Sequence, residues 1–165
     1  MKKVSDIHAI KIIFFITACY VGLWAIRIPT IKDQLQTDYV GVGYIMLSFA
    51  IGSIVAMIFA NALILKTSTK SILTCTLIAE GCLWLPVPFI QELWLFMVFS
   101  FVFGMSYGAF EIACNVYASN LEVREKKSMM SGFHAFWSLG VLFGSLITSF
   151  LLEWNYSFIF NILLY

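Results

Sequence analysis

Charge is scarce in this chain. Of 165 residues only 12% are charged, and ten Lys and Arg stand against nine Asp and Glu. Soluble domains carry roughly 25% charged residues, so the shortage excludes a soluble enzyme and a disordered tail. The missing basic surplus excludes a nucleic-acid binder. Strict alternation over about ten residues, the mark of a membrane β-strand, is found nowhere in the chain. A Walker loop, a Rossmann glycine fingerprint and a nucleophile elbow are also missing, so no enzymatic motif is present. The four cysteines, Cys19, Cys75, Cys82 and Cys114, have no metal-ligand spacing. They read as small hydrophobes used in packing, and neither a metal nor a cofactor is expected.

What fills the chain is apolar: 61% hydrophobic and 17% aromatic residues, with a mean hydropathy of +0.93. Tyr39 to Leu65 contains no Asp, Glu, Lys or Arg, Leu93 to Phe110 contains none, and the run from Ser128 to Leu152 is broken only by His134. A bilayer core needs about 20 apolar residues as a helix, and backbone groups in lipid must be satisfied inside the segment. The expected architecture is an all-α membrane protein. Five spans fall at roughly 8–28, 40–64, 71–90, 93–118 and 129–152, with a partial sixth at 156–165.

Basic residues mark the sides. Lys2, Lys3 and Lys11, then Lys66 and Lys70, then Arg124, Lys126 and Lys127 fall on one side, which the positive-inside rule makes cytoplasmic. The opening resembles a secretory signal peptide, but Trp24, Arg27 and Pro29 follow where a small-residue cleavage site belongs, so the first helix is expected to stay. Trp84, Trp94, Trp154 and Tyr39 fall at span ends, the ordinary places of aromatic-belt residues. Ser48, Gly52, Ala56 and Ala60 form a stripe of small residues in span two. Gly104 with Gly108, and Gly140 with Gly144, are GxxxG pairs, a pattern that lets helix backbones approach closely.

Ionisable groups inside a bilayer are expensive and are therefore candidate functional groups. They are Glu80, Glu111 and His134, with Arg27 and Lys11 nearer the interfaces; Lys11 can snorkel to the headgroups. Tyr107, Glu111 and Asn115 are spaced by four and share one helix face. Gly104 and Gly108 are expected to open space beside that face. Removing water from around a carboxylate favours its protonated form, which is what a proton-coupling residue requires. His134 is expected at a depth similar to Glu111, where the pair could relay protons or act as a static brace. Glu80 reads equally as a structural hydrogen-bonding group or part of a polar route. Trp24 and Trp137, with Tyr20 and Phe133, could stack on a sugar or another amphipathic solute.

Three stretches together resemble the N-terminal half of a major facilitator superfamily transporter. Trp24-Ala25-Ile26-Arg27-Ile28-Pro29, followed by Ile31 and Leu35, is similar to the end of the first helix in bacterial inner-membrane relatives of fucose permease. Glu111-Ile112-Ala113-Cys114-Asn115 resembles that group's fourth-helix pattern. Met130-Ser131-Gly132-Phe133-His134-Ala135-Phe136-Trp137-Ser138-Leu139-Gly140, with Gly144 one turn on, resembles its fifth-helix opening. The superfamily's loop signature between helices two and three is matched here by Asn61, Leu65-Lys66, Ser68 and Lys70. The basic residues remain, and the two glycines and the aspartate do not.

The resemblance implies a secondary active transporter, a proton-coupled symporter of a small polar solute such as a sugar, of which this chain is expected to be an N-terminal fragment. In it Glu111, with His134, handles the proton. Asn115, Tyr107, Trp24, Arg27 and Trp137 meet the solute, and Lys66 and Lys70 belong to the gating loop. The implied partners are the solute, protons, the bilayer of a bacterial inner membrane and a C-terminal half or another membrane bundle. The alternative is a non-transporting remnant or an assembly subunit.

Overall fold

A computed structural model describes residues 2–164. The side chains of Lys2, Lys3, Val4, Ser5, Ala60, Asn61, Leu63 and Leu65, as well as Met1 and Tyr165, lie outside what it describes. The helices are α1 (Lys2–Gln34), α2 (Tyr39–Lys66), α3 (Thr69–Trp84), α4 (Leu93–Glu125), α5 (Met130–Glu153) and the short α6 (Phe158–Leu163). A single 3-10 turn, Val87–Phe89, joins α3 to α4, and there is no strand among the described residues. The first five elements are long and apolar enough to cross a membrane. Their outward faces carry large apolar side chains such as Ile54, Ile58, Phe59 and Leu146, the surface that a bilayer covers at no hydrophobic cost.

Several helix ends differ from the sequence expectation. α1 runs through Pro29 to Gln34, past the boundary expected at residue 28. Gln34 donates from Nε2 to the carbonyl oxygens of Val87 (2.9 Å) and Ile90 (2.6 Å), which ties the extra turn to the α3–α4 connection. α3 stops at Trp84 rather than near residue 90, because Pro86 and Pro88 lack the N–H groups that would continue it. α1, α4 and α5 end alike. Gln36, Lys126 and Asn155 take positive φ (48°, 52° and 57°). The N–H of the next residue then returns to a carbonyl five residues back: Thr37 to Lys32, Lys127 to Glu122 and Tyr156 to Leu151. This is the Schellman end. It usually uses glycine at the left-handed position, so no glycine in the sequence announced these stops.

The chain divides into two compact units, residues 1–28 with 118–165, and residues 29–117. In the second unit α2 lies directly on α4. A methyl group added to Gly52 would collide with the Phe101 carbonyl, one on Gly104 with the Phe49 carbonyl, and one on Gly108 with the Ser53 carbonyl. Ser48 donates to the Met97 carbonyl at 2.7 Å. The contacting residues advance together along both helices, so α2 and α4 run parallel. In the first unit the same device recurs: Gly140 sits on the Phe15 carbonyl and Gly144 on the Cys19 carbonyl, so α1 and α5 are parallel and in backbone contact. Both GxxxG pairs are thus packing seams within the chain.

Replacing Gly104 by Val should push α2 off α4 and lower stability by about 1–3 kcal/mol, the usual cost of overpacking. Gly81→Ala, where an added methyl meets nothing within 4 Å, should leave it unchanged or raise it. Thermal unfolding of both variants in detergent checks the contrast, and equal melting points would refute the seam.

Candidate functional site

The polar groups that span four carries lie in the second unit. Tyr107, Glu111 and Asn115 are half-buried on α4. The Tyr107 ring packs on Phe49 of α2, centroids 5.4 Å apart. The glycine side of α4 does not open space around Glu111, contrary to expectation: α2 backbone fills the room at Gly104 and Gly108. Close helix approach uses that volume up.

α3 packs on another side of α4. The edge of Trp84 meets Phe103 at 5.5 Å, and the Lys70 ammonium lies over the Tyr117 ring at 5.6 Å. From Trp84 to Lys70 and from Phe103 to Tyr117 are equal steps in opposite directions, so α3 and α4 are antiparallel with one register. One turn inward from the first pair, Glu80 comes level with Tyr107; another turn on, Thr76 comes level with Glu111. The Tyr107 hydroxyl and the buried Cys114 thiol are each within electrostatic range of both Glu80 and Glu111. Glu80 thus lies near the polar stripe on α4 to which Glu111 belongs. Glu80, 7% exposed, is the member that sequence reasoning left undecided. Its spacing from Trp84 was a usable signal only once the partner of Trp84 was known.

The cysteines divide. Cys19 and Cys114 are buried, whereas Cys75 and Cys82 are exposed on α3, so packing explains only the first two. Trp84, the last residue of α3, is also buried, against Phe103.

In the first unit, Arg27 is only 3% exposed. Its Nε donates to Asn161 Oδ1 at 3.1 Å and its Nη2 to the Tyr156 carbonyl at 3.3 Å. Its guanidinium lies 5.0 Å from the Phe158 ring. Asn161, fully buried, passes the network on to Thr148 Oγ1 at 3.4 Å. The Arg27 head therefore joins α1 to α5 and α6. His134 is exposed at the start of α5, with its ring edge-on to Phe14 at 5.6 Å. Lys11 lies over Phe136 at 5.0 Å. Trp24 and Trp137 are half-buried; Lys66 is exposed. No group of three or more metal-ligating side chains forms among the described residues.

The sequence model of the Major Facilitator Superfamily matches residues 12–165. The chain belongs to that superfamily. It is a multi-pass membrane protein of a transporter family, and its helices form the N-terminal bundle of that fold. It is similar to an uncharacterized MFS-type transporter of Yersinia pestis, 29% identical over 145 residues, which covers 86% of this chain and 37% of that protein. It is also similar to an uncharacterized transporter of Sinorhizobium fredii, 25% identical over 141 residues, covering 80% of this chain and 35% of that protein. The chain thus spans little more than a third of the length of these relatives. No solved structure gives a significant match.

Losing the Asn161 acceptor would strand a buried guanidinium donor. Asn161→Ala should therefore cost roughly 1.5–3 kcal/mol, the range for hydrogen bonds to charged groups, and Asn161→Asp less, since it keeps an acceptor. Chemical or thermal unfolding in detergent measures the difference; an Ala variant as stable as the parent would show that Arg27 is satisfied without α6.

Proposed function

We propose that this superfamily member supplies the N-terminal bundle of a proton-coupled symporter for a small polar solute, a sugar being the leading class. The observation that carries the reading is the stripe on α4. It places a carboxyl, a phenol and a carboxamide, at Glu111, Tyr107 and Asn115, on one face of a membrane-length helix. Ionisable groups at such depth are rare and mark solute and proton routes. Glu111 takes up a proton from one side and gives it to the other, while Tyr107 and Asn115 offer hydrogen bonds to hydroxyl groups of the solute. The two indoles, Trp24 and Trp137, and the Arg27 guanidinium are further solute contacts by their chemistry, and His134 is a second proton carrier. Lys66 and Lys70 belong to the loop that gates the cytoplasmic side. The address is a bacterial inner membrane with the N-terminus in the cytoplasm, from the basic loops.

In superfamily transporters two bundles rock around a midplane site, so solute movement in this reading needs a second bundle. A second reading, a remnant or assembly subunit that moves no solute, is favoured by the α2–α3 loop, which lacks the signature's glycines and aspartate.

The test is uptake of radiolabelled monosaccharides into vesicles under an inward proton gradient, with the complete two-bundle transporter. Glu111→Gln should abolish accumulation against the gradient while leaving membrane insertion intact. Accumulation at the parental rate would remove Glu111 from the coupling. Absence of uptake by the unmutated protein for every sugar tried, with no proton flux, would favour the subunit reading.

A further inference from the structure

We propose that Glu80 is a second proton-carrying carboxyl, joined to Glu111 in series through the Tyr107 hydroxyl. The proposal rests on reading Glu111 as the proton carrier and adds to it a route along the α3–α4 seam.

Three observations carry it. Glu80 is more than nine-tenths buried, and its Oε1 makes no hydrogen bond with any described residue. Such an atom costs free energy in any interior, and in lipid a structural carboxyl would be selected to be satisfied. The register fixed by Trp84–Phe103 and Lys70–Tyr117 brings Glu80 level with Tyr107. Glu111 stands one turn further along α4, about 6 Å by helix rise, and Tyr107 is within electrostatic range of both acids. The Ser106 hydroxyl, on the same turn of α4, is the other buried polar side-chain atom without a partner among the described residues. Two buried oxygens without a partner among the described residues thus lie at one level of the α3–α4 seam.

The step balances. Glu111 gives its proton to the Tyr107 oxygen as Tyr107 gives its own hydroxyl proton to a Glu80 carboxylate oxygen. One O–H bond forms for each that breaks, Tyr107 stays neutral, and the negative charge moves from Glu80 to Glu111. The titratable groups facing this route are Tyr107, Glu111 and Cys114 from α4. α2 carries no titratable side chain between Tyr44 and Lys66, and on α3 the remaining ones are Lys70, at the Tyr117 end, and the exposed Cys75 and Cys82.

The experiment is pH-resolved infrared difference spectroscopy of this chain in liposomes, read at the C=O stretch of protonated carboxyls, and it needs no solute. Glu80→Gln, which keeps shape and removes the proton site, should delete one band, and Glu80→Asp should restore it at a shifted frequency. Tyr107→Phe and Glu111→Gln should each move the titration midpoint of the Glu80 band by about one pH unit or more, the mark of coupled sites. A spectrum unchanged by Glu80→Gln overturns the proposal. So does a Glu80 band whose midpoint ignores both Tyr107→Phe and Glu111→Gln, since an isolated structural acid would behave that way. Loss of uptake in Glu111→Gln with this spectrum intact leaves the proton route standing, and the spectral failure with coupled uptake intact removes Glu80 alone.

Discussion

Backbone-to-backbone contact at glycine is the interaction on which the rest of this protein depends. In lipid there is no hydrophobic gain from bringing two helices together, so association relies on close packing over small residues. Gly104 and Gly108 seat α4 on α2, and Gly140 and Gly144 seat α5 on α1. Both contacts are parallel, and in each unit a further helix completes the arrangement. α3 meets α4 through Trp84 and Lys70, and α6 meets α1 at Arg27. The two units are thus built on one plan: a glycine-sealed parallel pair and a third element held by aromatic or cationic contacts. Gly104 and Gly108 give one side of α4 to α2, and Phe103 and Tyr117 meet α3 on another.

The two units treat buried polarity differently. In the first, a guanidinium is enclosed, but two of its nitrogens reach Asn161 and Tyr156, and Asn161 reaches Thr148. A network satisfied to that degree holds elements in place. In the second, Glu80 is enclosed with an oxygen that has no hydrogen-bond partner among the described residues. The contrast is between a buried charge met by partners and a buried carboxyl oxygen that meets none among the described residues. It also explains why the two charged positions, similar in the sequence as lone ionisable residues in apolar runs, take different parts.

Much of the architecture was legible beforehand because lipid imposes it: apolar length sets the spans, and GxxxG spacing set both seams. The misreadings share a cause. α1 overran residue 28 because Gln34 finds carbonyls at Val87 and Ile90, a contact far away in the chain. The Schellman ends at Gln36, Lys126 and Asn155 use residues other than glycine, so local chemistry did not mark them. Gly104 and Gly108 promised space beside Glu111 and instead received α2. Trp84 was expected at a span end, and its partner there, Phe103, had no local signal. A residue's spacing shows which face it shares on its own helix, never which neighbour covers that face.

The sequence by itself determined the class of the protein: membrane-spanning, helical, with a scarce set of ionisable residues and glycine pairs at fixed spacing. Those properties follow from the solvent, since a bilayer admits only long apolar segments whose backbones bond internally. Only the tertiary structure decided which of these residues belong together. The α3–α4 register brings Glu80 level with Tyr107, and α6 closes over Arg27. The reason is that both contacts join segments distant in the chain, and their alignment is set by how side chains interlock along whole helices, a quantity that no local pattern of residues contains.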